Sequence, residues 1–134
     1  MKGQHLAFVA ILVLLASSTW GQNTTPRIDY TEKEYTGLLG CVGLTDTAWK
    51  SASQKLAGIS IDDAKKIYDG RLEGALKTLN LHVVDKVYGD SFTNAWNYAV
   101  TFYGECAQNV ADVGKDRSGL ANYCTQNSII SMTA

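Results

Sequence analysis

Apolar residues recur at intervals of three and four along most of this 134-residue chain. This is the period of an amphipathic helix, and no long stretch shows the alternation that is typical of a strand. The only proline, Pro26, precedes every segment that we predict to be structured. The pattern therefore predicts an all-α fold, a compact bundle of five to six short helices. Short loops favour antiparallel neighbours.

The N-terminal half of the bundle is predicted to contain two separate helices before Gly58. The first covers residues 28–42. Three glycines weaken it and predict a kink or an early end, because glycine disfavours a helix interior: Gly37, Gly40 and Gly43. Thr45 or Asp46 is then expected to cap a second helix, which ends at Gly58.

Three further helices are predicted after Gly58. One covers 62–79, where acidic residues lie at the positive end of the helix dipole. Another covers 91–113 with Ser91 as its cap, and the last begins at Asp116 or Ser118. Residues 82–87 are ambiguous between a turn and an extended piece.

The N-terminal segment resembles a secretory signal peptide rather than a helix of the bundle. Lys2 precedes an uninterrupted apolar run, Leu6 to Ala16, and small residues lead to an expected cleavage before Gln22. The run is shorter than the ~20 residues that a transmembrane helix needs. We therefore expect residues 1–21 to be a signal peptide and residues 22–134 to be one secreted helical domain without membrane insertion. Asn23 begins a glycosylation sequon.

The charge and the rare residue types count against several classes of function. Basic and acidic residues nearly balance, 12 against 13, and no basic cluster indicates nucleic-acid binding. His82 is the only histidine after the predicted signal, which leaves no catalytic triad or metal-ligand spacing. The carboxylates are scattered rather than paired. We expect no enzymatic activity, no metal and no cofactor.

Aromatic residues give a more positive indication. Tyrosine and tryptophan combine an apolar body with a polar tip, which suits a pocket for a small apolar ligand. An ordinary core with a few aromatic residues explains the same composition, so the aromatics alone do not decide between the two.

The chain has three cysteines, Cys41, Cys106 and Cys124, and their spacing resembles that of the insect odorant-binding protein family. That family has six cysteines, paired first to third, second to fifth and fourth to sixth. The three present here match its first, fourth and sixth positions. The other three positions hold different residues: Ile67, Arg71 and Lys115. The resemblance covers about residues 30–130 and points to the cysteine-poor branch of the family.

The resemblance implies one disulfide, Cys106 to Cys124, because only that pair of the family's pattern is complete. Cys41 is then expected to be a buried free thiol. Two alternatives stay open for it: an intermolecular disulfide that makes a homodimer, and a bond to Cys106 or Cys124.

The function that the resemblance implies is the carriage of a small hydrophobic molecule, such as an odorant or pheromone in insect olfaction, inside an apolar cavity. The tail Ile129–Ala134 is expected to close that cavity, and Tyr103 or Tyr123 to supply a polar handle. The expected ligand-binding residues are the apolar and aromatic ones on the inner helix faces: Trp49, Leu56, Tyr68, Leu72, Leu76, Trp96, Val100, Tyr103, Val110, Leu120 and Tyr123. The alternative is a secreted salivary, haemolymph or seminal effector that binds a protein partner.

Overall fold

A capping box starts the first helix of the computed structural model, which describes residues 29–133 and their side chains as far as Asn127. Glu34 N donates to Thr31 Oγ1 at 3.2 Å, and Thr31 N donates to the Glu34 carboxylate at 2.8 Å. The two bonds satisfy backbone donors that a helix start leaves unpaired. Helix α1 follows without interruption over Glu32–Leu56.

The described residues form five helices and no strand, which confirms the all-α prediction. The four that follow α1 are α2 (Ile61–Asp69), α3 (Gly74–Gly89), α4 (Ala95–Asn109) and α5 (Leu120–Thr133). The predicted signal segment 1–21 and the sequon at Asn23 lie outside the described residues, as do the side chains of the tail.

Helix α1 replaces the two helices predicted before Gly58. Thr45, expected as a cap, lies inside the helix, and its Oγ1 donates to Cys41 O one turn earlier at 2.7 Å. Gly37 does not break the helix but lets a loop approach it. A Cβ there would lie only 2.7 Å from Ala111 Cβ, just beyond α4. The three glycines were therefore misread as helix breakers, although only Gly37 has a close-packing role, since Gly40 and Gly43 meet no atom within 4 Å.

The helix predicted over 62–79 is instead two helices. Helix α2 ends at Asp69, and a short loop leads to Gly74, whose φ of +59° favours glycine. Residues 82–87, which were ambiguous, lie within α3 and bury three valines. Helix α4 begins after Asn94 rather than Ser91, because the Asn94 side chain accepts a hydrogen bond from Asn97 N at 2.9 Å.

Helix α1 lies at the centre of the bundle and packs chiefly against α4 and α3, while α2 packs on α3. One cluster of buried residues joins α1 to α4 and α5, a second joins α1 to α3, and a third joins α2 to α3. Lys55 ties the end of α1 to the end of α3. Its Nζ donates to Tyr88 O at 2.9 Å, to Val87 O at 3.2 Å and also to Asp90 O. These contacts stabilise the negative end of the α3 dipole.

The disulfide joins Cys41 on α1 to Cys106 on α4, so the predicted Cys106–Cys124 bond and the predicted free thiol at Cys41 are both wrong. Cys41 and Cys106 lie in the same buried cluster, where α1 and α4 meet. Cys124 on α5 is exposed. The observed bond is one of the alternatives left open for Cys41, and it uses the sulfur that an intermolecular link through Cys41 would need.

Candidate functional site

An apolar groove opens between α1, α2 and the start of α3, with a volume of about 520 Å³. Leu39 on α1 and Leu76 and Leu79 on α3 are each about half exposed along it. Exposed leucines from two helices around one depression make an apolar surface whose contact with water is unfavourable. The remaining lining residues are Gly40, Gly43, Leu44, Asp46, Thr47, Lys50, Ile67, Tyr68, Arg71, Leu72 and Asn80.

The groove exists because two glycines of α1 line it. Gly40 and Gly43 have no atom within 4 Å of the place where a Cβ would lie. Each therefore leaves space on the groove side of the helix, and Leu39 and Leu44 beside them provide apolar walls. The same glycines that were predicted to weaken the first helix thus shape the depression that the uninterrupted helix carries.

A buried polar pair lies in the wall between α1 and α3. The Thr47 hydroxyl donates to Asn80 Oδ1, and Asn80 Nδ2 donates to Leu76 O at 2.8 Å. Both side chains are almost fully buried. Because each is hydrogen-bonded, their burial carries little penalty. The pair sets the register of α1 against α3 beside the groove.

Charged side chains lie at the C-terminal end of the α1 segment that lines the groove. Lys50 Nζ donates to Asp46 Oδ2 at 2.6 Å. This hydrogen bond raises the pKa of Lys50, and the charge of Asp46 raises it further. Arg71, from the loop after α2, lines the same groove and is exposed.

A second, shallower depression of about 220 Å³ lies between α1, α3 and α4. Leu44 and Leu79 line both depressions, so the two share an edge. Val110, which is 69% exposed, lies at its far side. The apolar surface therefore continues from α2 across α3 towards α4.

The expected ligand-binding residues fall into four places. Three of them line the groove: Tyr68, Leu72 and Leu76. Another three pack in or against the cluster joining α1, α4 and α5: Tyr103, Leu120 and Tyr123. Val110 lines the second depression. The other four are at least a third exposed and line neither depression: Trp49, Leu56, Trp96 and Val100.

The two tyrosines expected as polar handles lie in the core instead of the groove. Tyr103 is fully buried, and its ring lies 6.1 Å from that of Tyr123. Burial raises the pKa of Tyr103, and its hydroxyl has no hydrogen-bond partner among the described residues. Tyr123 stacks on Tyr35 at 6.1 Å. Their packing reflects an aromatic core, which was the other explanation of the aromatic content.

Several groove residues were missed by the sequence analysis, among them Leu39, Thr47 and Lys50. They recur on one face of α1, with intervals of eight and then three positions, which is a helical signal. The signal was lost because the first helix was predicted to end near Val42. Asn80 was missed for another reason. It is a polar residue within an apolar stripe, and the sequence does not indicate that its side chain is buried against Thr47.

The part of the chain that the structure describes contains neither a cluster of metal-ligand side chains nor a helix able to span a membrane. Nowhere in it do three or more His, Cys, Asp or Glu side chains gather as metal ligands would. Within the same range, no helix combines the length and the apolar character that crossing a bilayer requires.

Comparison of the chain with protein-family models, with curated proteins and with solved structures gave no match. The resemblance to odorant-binding proteins therefore rests on cysteine spacing and helix order alone. The disulfide departs from it, because a bond between Cys41 and Cys106 joins the family's first and fourth positions.

Proposed function

We propose that this protein is a secreted carrier that binds a small hydrophobic molecule in the groove between α1, α2 and α3. The observation that carries the proposal is the row of half-exposed leucines, Leu39, Leu76 and Leu79, around a depression of about 520 Å³. That volume lies within the range of small-molecule sites, about 300–1,000 Å³. A ligand there would remove apolar surface from water at a gain of about 25 cal/mol per Å².

Two further features support the secreted part of the proposal. The first is the signal-like segment before Gln22. The second is the disulfide between Cys41 and Cys106, because such bonds form and persist in oxidising compartments. Odorants and pheromones are one class of ligand that fits, and they enter only through the family resemblance.

The groove can be filled by a single substitution. Gly43 lines it and has open space at its Cβ position, so Gly43→Leu places a side chain in the ligand's volume. Leucine also favours a helix over glycine by about 0.8 kcal/mol, so the variant is expected to fold. We expect wild-type protein to enhance the fluorescence of the neutral apolar probe N-phenyl-1-naphthylamine, and Gly43→Leu to bind the probe at least tenfold more weakly.

Gly89→Leu is the matched control. It adds the same side chain to the last residue of α3, also into open space, but outside the groove. This variant should bind the probe as wild type does. Bound probe should also raise the melting temperature of wild type and Gly89→Leu alone. Equal probe binding by Gly43→Leu and wild type would show that the groove is not the site.

A second candidate function, recognition of a protein partner, is favoured by one exposed aromatic pair. Trp49 on α1 and Trp96 on α4 are 44% and 56% exposed, and their rings meet edge to face at 6.3 Å. Exposed tryptophan is enriched among residues that dominate protein interfaces. If this function holds, protein in its native fluid should elute as a stable complex, and Trp49→Ser with Trp96→Ser should elute as a monomer.

A further inference from the structure

The groove is apolar at one end and cationic at the other. Leu39 and Lys50 both line it from α1, and eleven residues separate them along the helix. At 1.5 Å per residue this is about 16 Å, roughly three turns. The apolar residues and the charged residues are thus far enough apart to meet different parts of one elongated molecule.

The cationic end has more positive than negative charge. Lys50, Arg71 and a single carboxylate, Asp46, line the groove, and Arg71 lies near enough to Lys50 for its charge to act on the Lys50 pKa. Asp46 pairs with Lys50, whereas Arg71 makes no ion pair with any residue that the structure describes. Arg71 therefore presents a guanidinium group whose planar donors match a carboxylate in two parallel hydrogen bonds.

We propose that the ligand of the groove is a single-chain amphiphile with a carboxylate head, bound with its chain along Leu39, Leu76 and Leu79 and its head between Arg71 and Lys50. This inference rests on the proposed carrier function and names the chemical class of its ligand. Burial of the chain supplies most of the affinity. The two cations supply orientation and the preference for a charged head, because exposed ion pairs contribute modestly.

Two probes of equal chain length isolate the contribution of the head. Dodecanoate and 1-dodecanol share a twelve-carbon skeleton and differ at the head, which is an anionic carboxylate in the first and a neutral hydroxyl group in the second. Each is added below its aggregation concentration as a competitor of N-phenyl-1-naphthylamine. At pH 8 we expect dodecanoate to bind about three- to fivefold more tightly than dodecanol, the range that one or two exposed ion pairs give. Salt at 0.5 M should reduce this preference by screening.

Three variants test the residues. Arg71→Gln should weaken dodecanoate binding about threefold and leave dodecanol binding unchanged. Asp46→Asn should strengthen dodecanoate binding, because it releases Lys50 from its internal partner. Lys115→Gln is the control: Lys115 is an exposed cation outside the groove, so its loss changes the net charge equally without changing either affinity.

The outcomes separate this inference from the proposed function. If both compounds displace the probe equally and Arg71→Gln changes neither affinity, the anionic ligand is wrong and the carrier function stands. If Lys115→Gln weakens dodecanoate binding as much as Arg71→Gln, the effect comes from net charge and the head site is wrong. If the probe binds but neither compound displaces it, the single-chain amphiphile is wrong and the carrier function stands; if the probe does not bind either, both proposals fall.

Discussion

At the residue scale, the best-defined electrostatic contact joins the start of α1 to the loop before α5. Arg117 donates to both carboxylate oxygens of Glu34, at 2.6 and 3.2 Å. Arg117 also lies over the ring of Tyr30, whose hydroxyl donates to Arg117 O at 2.9 Å. These contacts hold together segments more than 80 residues apart. They could not be predicted, because charge pairing across such distances has no local sequence pattern.

The Glu34–Arg117 contact should make stability depend on pH. Hydrogen bonding from Arg117 lowers the pKa of Glu34 from 4.5 to about 2. Because the folded-state pKa lies below the unfolded one, the contribution is fully present above about pH 4.5 and disappears as the pH falls towards 2. Glu34→Gln should lower the free energy of unfolding by about 1–2 kcal/mol at pH 7 and keep the capping box.

Urea unfolding between pH 7 and pH 2 measures this effect. The difference between wild type and Glu34→Gln should shrink as the pH falls from 4.5 to 2. Glu32→Gln is the control, since Glu32 lies in the same first turn but is exposed, and Arg117 pairs with Glu34 instead. A difference that stays constant over this pH range would contradict the assignment.

At the element scale, the sequence predicted the fold class and the approximate position of most helices but not how they join. The start of α2 and the end of α3 near Gly89 were predicted correctly, because helix caps and the interaction of acidic residues with the helix dipole depend on neighbouring residues in the sequence. The continuity of α1 could not be predicted, because the glycines that suggested a break have a tertiary role instead: Gly37 packs against Ala111, a residue distant in sequence. The groove was only partly predicted for the same reason: Tyr68, Leu72 and Leu76 were found, and the α1 face was not.

The role of Gly37 can be tested against a neighbouring glycine in the same helix. Gly37→Ala places a Cβ 2.7 Å from Ala111 Cβ and 2.8 Å from its Cα, so backbone must move. We expect it to destabilise the fold by about 1–3 kcal/mol. Gly40→Ala meets no atom within 4 Å and should stabilise the fold by up to about 1 kcal/mol through helix propensity.

Chemical denaturation of the two variants beside wild type measures both effects. Opposite signs of the two changes would show that α1 is continuous and closely packed at Gly37. Stabilisation by both substitutions would instead indicate that the loop after α4 lies away from α1.

At the scale of the whole molecule, one covalent bond and two of the three buried clusters hold α1 against the rest of the bundle. The resemblance to the six-cysteine family placed the disulfide between α4 and α5, whereas the structure places it between α1 and α4. Sequence spacing could not decide this, because the bond depends on which helix faces meet in the core. The observed bond closes a loop of 65 residues, so its effect on the unfolded chain is larger than that of the shorter Cys106–Cys124 loop.

The disulfide assignment is open to a direct chemical test. Trypsin cleaves after Lys33, Lys50, Lys86, Lys115 and Arg117, so the three cysteines fall in the separate peptides 34–50, 87–115 and 118–134. Without reduction, mass spectrometry should show 34–50 linked to 87–115. A link between 87–115 and 118–134 would restore the family's pairing and contradict the structure.

The stability of variants tests the same bond in the folded protein. Cys41→Ser with Cys106→Ser removes a cross-link that closes 65 residues and should lower the free energy of unfolding by about 4 kcal/mol. Cys124→Ser changes an exposed side chain and should alter it by less than about 0.5 kcal/mol. Reducing agent should destabilise wild type and Cys124→Ser alike and leave the double variant unchanged, since only the first two contain the bond between α1 and α4.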